Sequence, residues 1–335
     1  MIGKLGLWSR VQPLQGGGKL FIITTNDVRF YDSSYNLLTV RFSGKGYITG
    51  VRLKNGKYAF STGNNTYDMY NSNLAFVSNT TVSNLDGYSF DIASLDSDSN
   101  NRVFMARHAP TTVGERTINI YDDSGNFLKT IPSGLLGLAN PREGMTFWAN
   151  GCWGYNGRNF QDDTRGFVAI YNSVDTAVLT RFYGSGGNTR VNTMSGAMVG
   201  NDLYYTIGLA TNVGNISSYL SGGFTDVSDT TNTLRWTSDP VGSRASAFID
   251  DSNYYISSGE SFEDVLRLDV NGDIIEPPYS YISSQYMKSD GTDLFVLRHN
   301  AAELLIQPPT FGIGPVITPP YLIHEFNFTV PRHYL

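Results

Sequence analysis

The sequence predicts an all-β chain built from repeated four-stranded antiparallel sheets, and three observations carry that expectation. The phrase "YDSSYNLLTV" at 31–40 returns as "YDDSGNFLKTI" at 121–131. The composition, with 21 Tyr, 19 Phe and 35 Gly, is what strands joined by tight turns require. The dipeptides Asn55-Gly56 and Asp290-Gly291 stand between apolar runs, where a two-residue hairpin needs positive φ angles.

The repeated unit reads in order along the chain. An apolar strand and a short loop lead to a second strand ending in an aromatic and an Asp or Asn. A turn of Ser, Gly and Asn follows, then a third apolar run, and one further strand precedes each unit. Copies cover 19–40, 57–77, 102–131, 151–182, 202–227, 253–278 and 293–330. Their anchors are Tyr31, Tyr70, Tyr121, Tyr171, Tyr219, Leu268 and Phe326, about 49 residues apart. One four-stranded sheet alone leaves both faces wet, so the sheets must stack against each other. Stacked in a ring they form a seven-bladed β-propeller, a single domain over 1–335. An open β-solenoid would show shorter strands at a tighter period.

The chain ends complete that expectation. After Phe326 the last copy runs "NFTVPRHYL", without the turn and final strand of the others, while "IGKLGLW" at 2–8 is an apolar stretch with no blade of its own. Residues 2–8 are therefore expected to supply the outer strand of the seventh blade and close the ring. Within each unit the aromatic should pack between blades, and Asp32 or Asp122 should cap its turn through the side chain.

On "IYDDSGNFLKTI", "FYDSSYNLLTV" and "LDVNGDIIEPP" the chain resembles, over essentially its whole length, the β-propeller repeat superfamily of NHL and kelch type. The Trp-Asp and Gly-His signatures of WD repeats and the regular double glycine of kelch are missing, so the resemblance implies a fold and no residue roles. The Asn/Ser/Tyr-rich composition is also similar to that of propeller domains in bacteriophage tails and other virion structures. That similarity implies a structural component of a virion.

Net charge is −6 with a pI near 5.2, and no run of four basic residues occurs, which argues against a nucleic-acid partner. The single cysteine, Cys152, forms no internal disulfide. "MIGKLGLWSRVQ" lacks the apolar stretch of a secretory signal, and no window approaches eighteen apolar residues. The expectation is a protein made in the host cytoplasm and carried in the virion, a cytoplasmic protein being the alternative.

Signatures of catalysis are sparse. The sequence has no Gly-x-Ser-x-Gly elbow, Walker loop or Gly-x-Gly-x-x-Gly. Its four histidines, His108, His299, His324 and His333, have no zinc spacing. "DVNGDIIE" and "LDSDSNN" alternate acids as calcium loops do, but both coincide with expected hairpin turns and lack the sixth-position glycine. No metal or cofactor is therefore expected. Binding candidates are Arg107-His108 and Arg298-His299, at equivalent strand ends of two blades, where they would grip a carboxylate, a phosphate or an acidic partner unless they are ordinary solvated strand ends. Trp153 and Tyr155 would stack on a sugar ring or pack between blades. Glu115, Glu143, Asp162, Asp163, Glu260 and Glu263 are acids for a glycoside-cleaving alternative, although no spacing selects a pair.

The most unusual segment is "IQPPTFGIGPVITPP" at 306–320, read as an insertion in blade seven with five prolines. It is stiff before binding and carries Phe311, Ile313, Val316 and Ile317, which suits a contact arm as well as a loop folded over its own blade. The expected role is thus a non-enzymatic interaction protein. Its loop faces would meet neighbouring subunits, copies of itself, a host receptor or a surface glycan.

Overall fold

Residues 18–82, 91–108, 118–131, 284–298, 302–307 and 314–329 are described by the computed structural model, together with the strands between 132 and 283. The first sheet contains β1 (Leu20–Thr24), β2 (Val28–Tyr31) and β3 (Leu37–Arg41). The second runs β4 (Thr49–Arg52), β5 (Tyr58–Ser61), β6 (Thr66–Tyr70) and β7 (Phe76–Thr81). The third runs β8 (Asp91–Ser97), β9 (Val103–His108), β10 (Ile118–Tyr121) and β11 (Phe127–Ile131).

Three further antiparallel ladders are traced by their strands. The first comprises β12 (Met145–Phe147), β13 (Trp153–Arg158), β14 (Gly166–Tyr171) and β15 (Ala177–Tyr183). The next comprises β16 (Arg190–Val199), β17 (Asp202–Val213), β18 (Asn215–Ser217), β19 (Leu220–Asp226) and β20 (Asn232–Thr237). The third comprises β21 (Ser243–Phe248), β22 (Asn253–Ser258), β23 (Asp264–Asp269) and β24 (Tyr279–Ser280). The last sheet runs β25 (Ser284–Ser289), β26 (Leu294–Arg298), β27 (Leu304–Gln307) and β28 (Val316–Ile317). Then β29 (Ile323–Phe328) returns to the first sheet, whose order is β29-β1-β2-β3.

The second strand of each blade has neighbours on both faces, so it reads as a continuous apolar run rather than an alternating one. Leu20, Phe21, Ile22 and Ile23 of β1 are all fully buried. Their period of two divides them between two interfaces. Leu20 and Ile22 pack with Phe295, Leu297, Phe326 and Phe328 on one side. Phe21 and Ile23 pack with Tyr58, Phe60 and Tyr70 on the other. The second and third blades meet in the same way, through Val51, Ala59 and Met69 against Leu95, Val103 and Met105.

The repeated phrase is a capped, bulged hairpin. The Asp32 carboxylate accepts the Ser34 and Asn36 N–H groups at 2.8 Å each. Asp122 accepts those of Ser124 at 2.9 Å and Asn126 at 2.8 Å, and Asn71 does the same for Asn73 and Ala75 with its amide oxygen. Above all the Asn36 N–H holds the Asp32 carboxyl below its usual range. The register slips next to the anchor tyrosines of the first three blades: Tyr31 faces Leu37 while Phe30 faces Thr39, leaving Leu38 as an extra residue. Val77 and Leu128 are the extra residues beside Tyr70 and Tyr121.

The expected ring of seven blades closed by an N-terminal strand is corrected here. Packed blades, with side chains described on their faces, number four: the first three sheets and the last. A repeated hairpin phrase counts hairpins, whereas a blade is defined by what packs on its two faces. Residues 2–8 lie outside the described residues, and the last blade is complete without them. Closure comes from β29, whose register on β1 runs Leu20↔Phe328, Phe21↔Asn327 and Ile22↔Phe326. Phe326 is thus in the innermost strand of the first blade and not in the third strand of the last. "IHEFNF" alternates as either strand would, and only the vacant inner edge of β1 decides between them. Lys19 clamps the junction: its Nζ meets Asp290 at 2.8 Å, Asp293 at 2.7 Å and the Tyr35 hydroxyl at 2.7 Å.

Two glycines are set by close approach. A Cβ on Gly125, at φ +86°, would lie 2.2 Å from Thr80 Oγ1 of the neighbouring blade. A Cβ on Gly50 would lie 2.2 Å from Cδ1 of Phe60, a ring held between Tyr47 and Tyr58. Gly50→Ala is expected to lower stability in urea denaturation by about 1–3 kcal/mol; an unchanged midpoint would contradict this packing.

Candidate functional site: the inner strands and the two faces

Successive inner strands are not paired in a common ladder, so their facing backbone groups need other partners. Side chains from the adjacent blade supply them. Lys288 Nζ on β25 donates to the Phe326 carbonyl at 3.5 Å. The Gly50 N–H on β4 donates to Glu325 Oε2 at 3.3 Å, and Asn327 Nδ2 donates to the Gly50 carbonyl at 3.2 Å. The Leu95 N–H on β8 donates to Thr49 Oγ1 at 3.1 Å. Arg52 donates to the Thr329 carbonyl, and the Ser97 hydroxyl to that of Arg52 at 3.4 Å. Glu325, Asn327 and Thr49 are accordingly buried.

Asp96 extends this polar belt on β8. Burial pushes its carboxyl up to about 7, against the pull of Lys288 and of the Ser97 N–H, while Glu325 and Asp98 add to the rise. Part of the residue still meets solvent, but the carboxyl itself is closely surrounded. Among the described residues no group of three or more His, Cys, Asp or Glu is placed to hold a metal ion. Asp98, part of a stretch weighed for calcium, instead caps its own turn and pairs with Arg102 at 2.5 Å.

The two ends of the sheets differ. One carries short capped turns: 32–36, 53–57, 71–75, 98–102 and 122–126. The other carries the connections between blades, and over it the chain passes from β28 to β29. In that crossing Tyr321 and Leu322 are exposed to 42% and 53%, and Val316, in β28 just before it, to 46%. Backbone bonds flank the segment, Ile306 N–H to Pro315 O at 3.0 Å before β28 and Thr25 N–H to Leu322 O at 2.8 Å at its far end.

The residues singled out in the sequence fare unequally. Trp153 is buried, stacked on Tyr171 at 4.6 Å and set edge-on to Phe104 at 5.3 Å, so it packs between sheets. Tyr155 faces Met145 and Ala169 in its ladder. The Arg298 guanidinium is engaged by Glu303. Arg107 and His108 sit in β9 opposite Ile92 and Asp91, their side chains outside the described set. His299, Phe311 and Ile313 lie outside the described residues, as do Glu115, Glu143, Asp162, Asp163, Glu260 and Glu263. Gln307 ends β27, and Val316 and Ile317 form β28, with Ile317 in the core and Val316 exposed. The inner-strand polar residues were missed. Their one signal was a charge inside an apolar alternation, as in "IHEFNF".

No protein-family model matches the chain, and no curated protein matches it in sequence. Solved structures do. A functionally unknown protein from Desulfotomaculum acetoxidans is 15% identical, with a TM-score of 0.58 over 94% of this chain and 99% of that one. BamB from Moraxella catarrhalis is 12% identical, with a TM-score of 0.57 over 92% of this chain and 86% of its own. A chain of the nidogen/laminin complex is 8% identical, with a TM-score of 0.52 over 94% and 99%. These likenesses are to the fold alone, and with the four-stranded antiparallel blades they make this chain a β-propeller.

Asp96→Asn tests the belt. Because the folded carboxyl titrates near 7 and the free one near 3.8, the wild type loses stability as pH rises between those values. The variant is expected to melt higher than the wild type at pH 8 and by a shrinking margin towards pH 4. A pH-independent difference would overturn the assignment.

Proposed function

We propose that the chain is a non-catalytic interaction module that docks protein partners on the face crossed by residues 315–322. The observation that carries the reading is that crossing. Within it Thr318, Pro320, Tyr321 and Leu322 are exposed, with the exposed Val316 of β28 just before them, and no acid or base interrupts them. Such a segment, stiffened by proline and tethered at its ends, loses little entropy on docking. The nidogen/laminin neighbour, a propeller-like chain in a complex with another protein, supports the same reading. Composition and the resemblance to phage-tail propellers support a virion component, assembled in the host cytoplasm, as the setting. Trp153, one of the two rings weighed as a sugar platform, is stacked inside the protein.

A photo-reactive phenylalanine analogue at Tyr321, in the chain expressed in its source cell, is expected to cross-link to a protein other than this chain, and the same analogue at Lys54, in a turn on the opposite face, much less. Equal yields at both positions, or none at Tyr321, would remove the support for this face.

A further inference from the structure

The opposite face carries a second apolar feature. Among the described residues, every exposed large apolar side chain lies either on the 316–322 crossing or on an outer strand. On β3, β7 and β11 these residues come in pairs: Leu37 with Leu38, Phe76 with Val77, and Phe127 with Leu128, each 43–60% exposed. Every pair follows directly on a capped turn and contains the extra residue of the bulge. The pairs therefore occupy the same point on three successive blades and form an arc along the rim of the turn face.

We propose that this arc is the docking surface for a second copy of the chain, turn face against turn face across a two-fold axis. Size is the first argument. Six side chains half exposed amount to on the order of 600 Å² of apolar surface, close to the ~800 Å² per partner of a stable interface. Level geometry is the second. Turns 32–36, 71–75 and 122–126 are of one length and close through the same backbone bond, at 3.0, 2.9 and 2.9 Å, so the pairs that follow them start at equivalent points of their blades.

Charge is the third. A two-fold contact sets each patch against itself, so an unbalanced face would repel its copy. Here Lys57 pairs with Asp123, Arg102 with Asp98, and Lys19 with Asp290 and Asp293, while the Asp32 and Asp122 carboxylates are met by the N–H groups of their own turns.

Sedimentation across a concentration series tests the proposal on the whole chain. Wild type is expected to form a dimer. Phe76→Lys with Phe127→Lys, and separately Leu37→Lys with Leu38→Lys, are each expected to raise the midpoint of dimer formation by at least about tenfold. Tyr321→Lys with Leu322→Lys should leave it unchanged, which separates this surface from the docking face proposed above. Melting curves check that the variants fold, and these positions are exposed, so they should. A wild type that stays monomeric, rim variants that dimerise like wild type, or loss of the dimer in the Tyr321 and Leu322 variant would each overturn the proposal.

Discussion

The structure depends on how the innermost strands satisfy their backbone. A strand at the inner edge of a blade has a hydrogen-bonding partner on one side only, and its other side meets the neighbouring blade rather than water. Lys288, Glu325, Asn327 and Thr49 each reach across one blade boundary to a main-chain group of the next inner strand. The polar belt near the axis thus does in side chains what a continuous sheet would do in main chain. Leaving such a group buried and unmet costs about 1–3 kcal/mol, so each of these residues is more constrained than an apolar neighbour of equal size. Gly50 shows the same constraint sterically: it brings its main chain within reach of both Glu325 and Asn327 while lying flat against Phe60.

Packing outside this belt follows a simple alternation. In β1 successive residues go to opposite interfaces, and the same holds wherever a second strand is sandwiched. Aromatic rings dominate the boundary of the first and second blades, where Phe21, Phe30, Tyr58 and Phe60 meet at 5.6–6.0 Å, mostly edge to face. A core of this kind is distributed over blade boundaries, each a separate hydrophobic cluster, rather than gathered at one centre.

Much of this was legible in the sequence because it is local. The turn caps of Asp32 and Asp122 need only residues two and four positions on, and the runs "KLFII" and "DLFVL" announce strands covered on both faces. What could not be read was whatever depends on contacts between distant parts of the chain. The identity of the closing strand rests on Phe326 and Phe328 meeting Phe295 and Leu20. The roles of Glu325 and Asp96 rest on neighbours in other blades, and alone they resemble acids on ordinary strands. Trp153 illustrates a choice left open: the sequence allowed a sugar platform or a blade-packing ring, and its stacking on Tyr171 and contact with Phe104 select the packing ring.

The pairing of β29 with β1 joins residues some three hundred positions apart, and this bears on how the protein is made. While a ribosome is still synthesising the chain, the first blade waits with its inner edge bare, because the strand that completes it follows every other described strand. The first described sheet is therefore completed after the others, and the fully buried Leu20 and Ile22 stay uncovered on the side of the last blade until then. Synthesis rate and chaperone occupancy at this one edge would then govern the yield of folded protein.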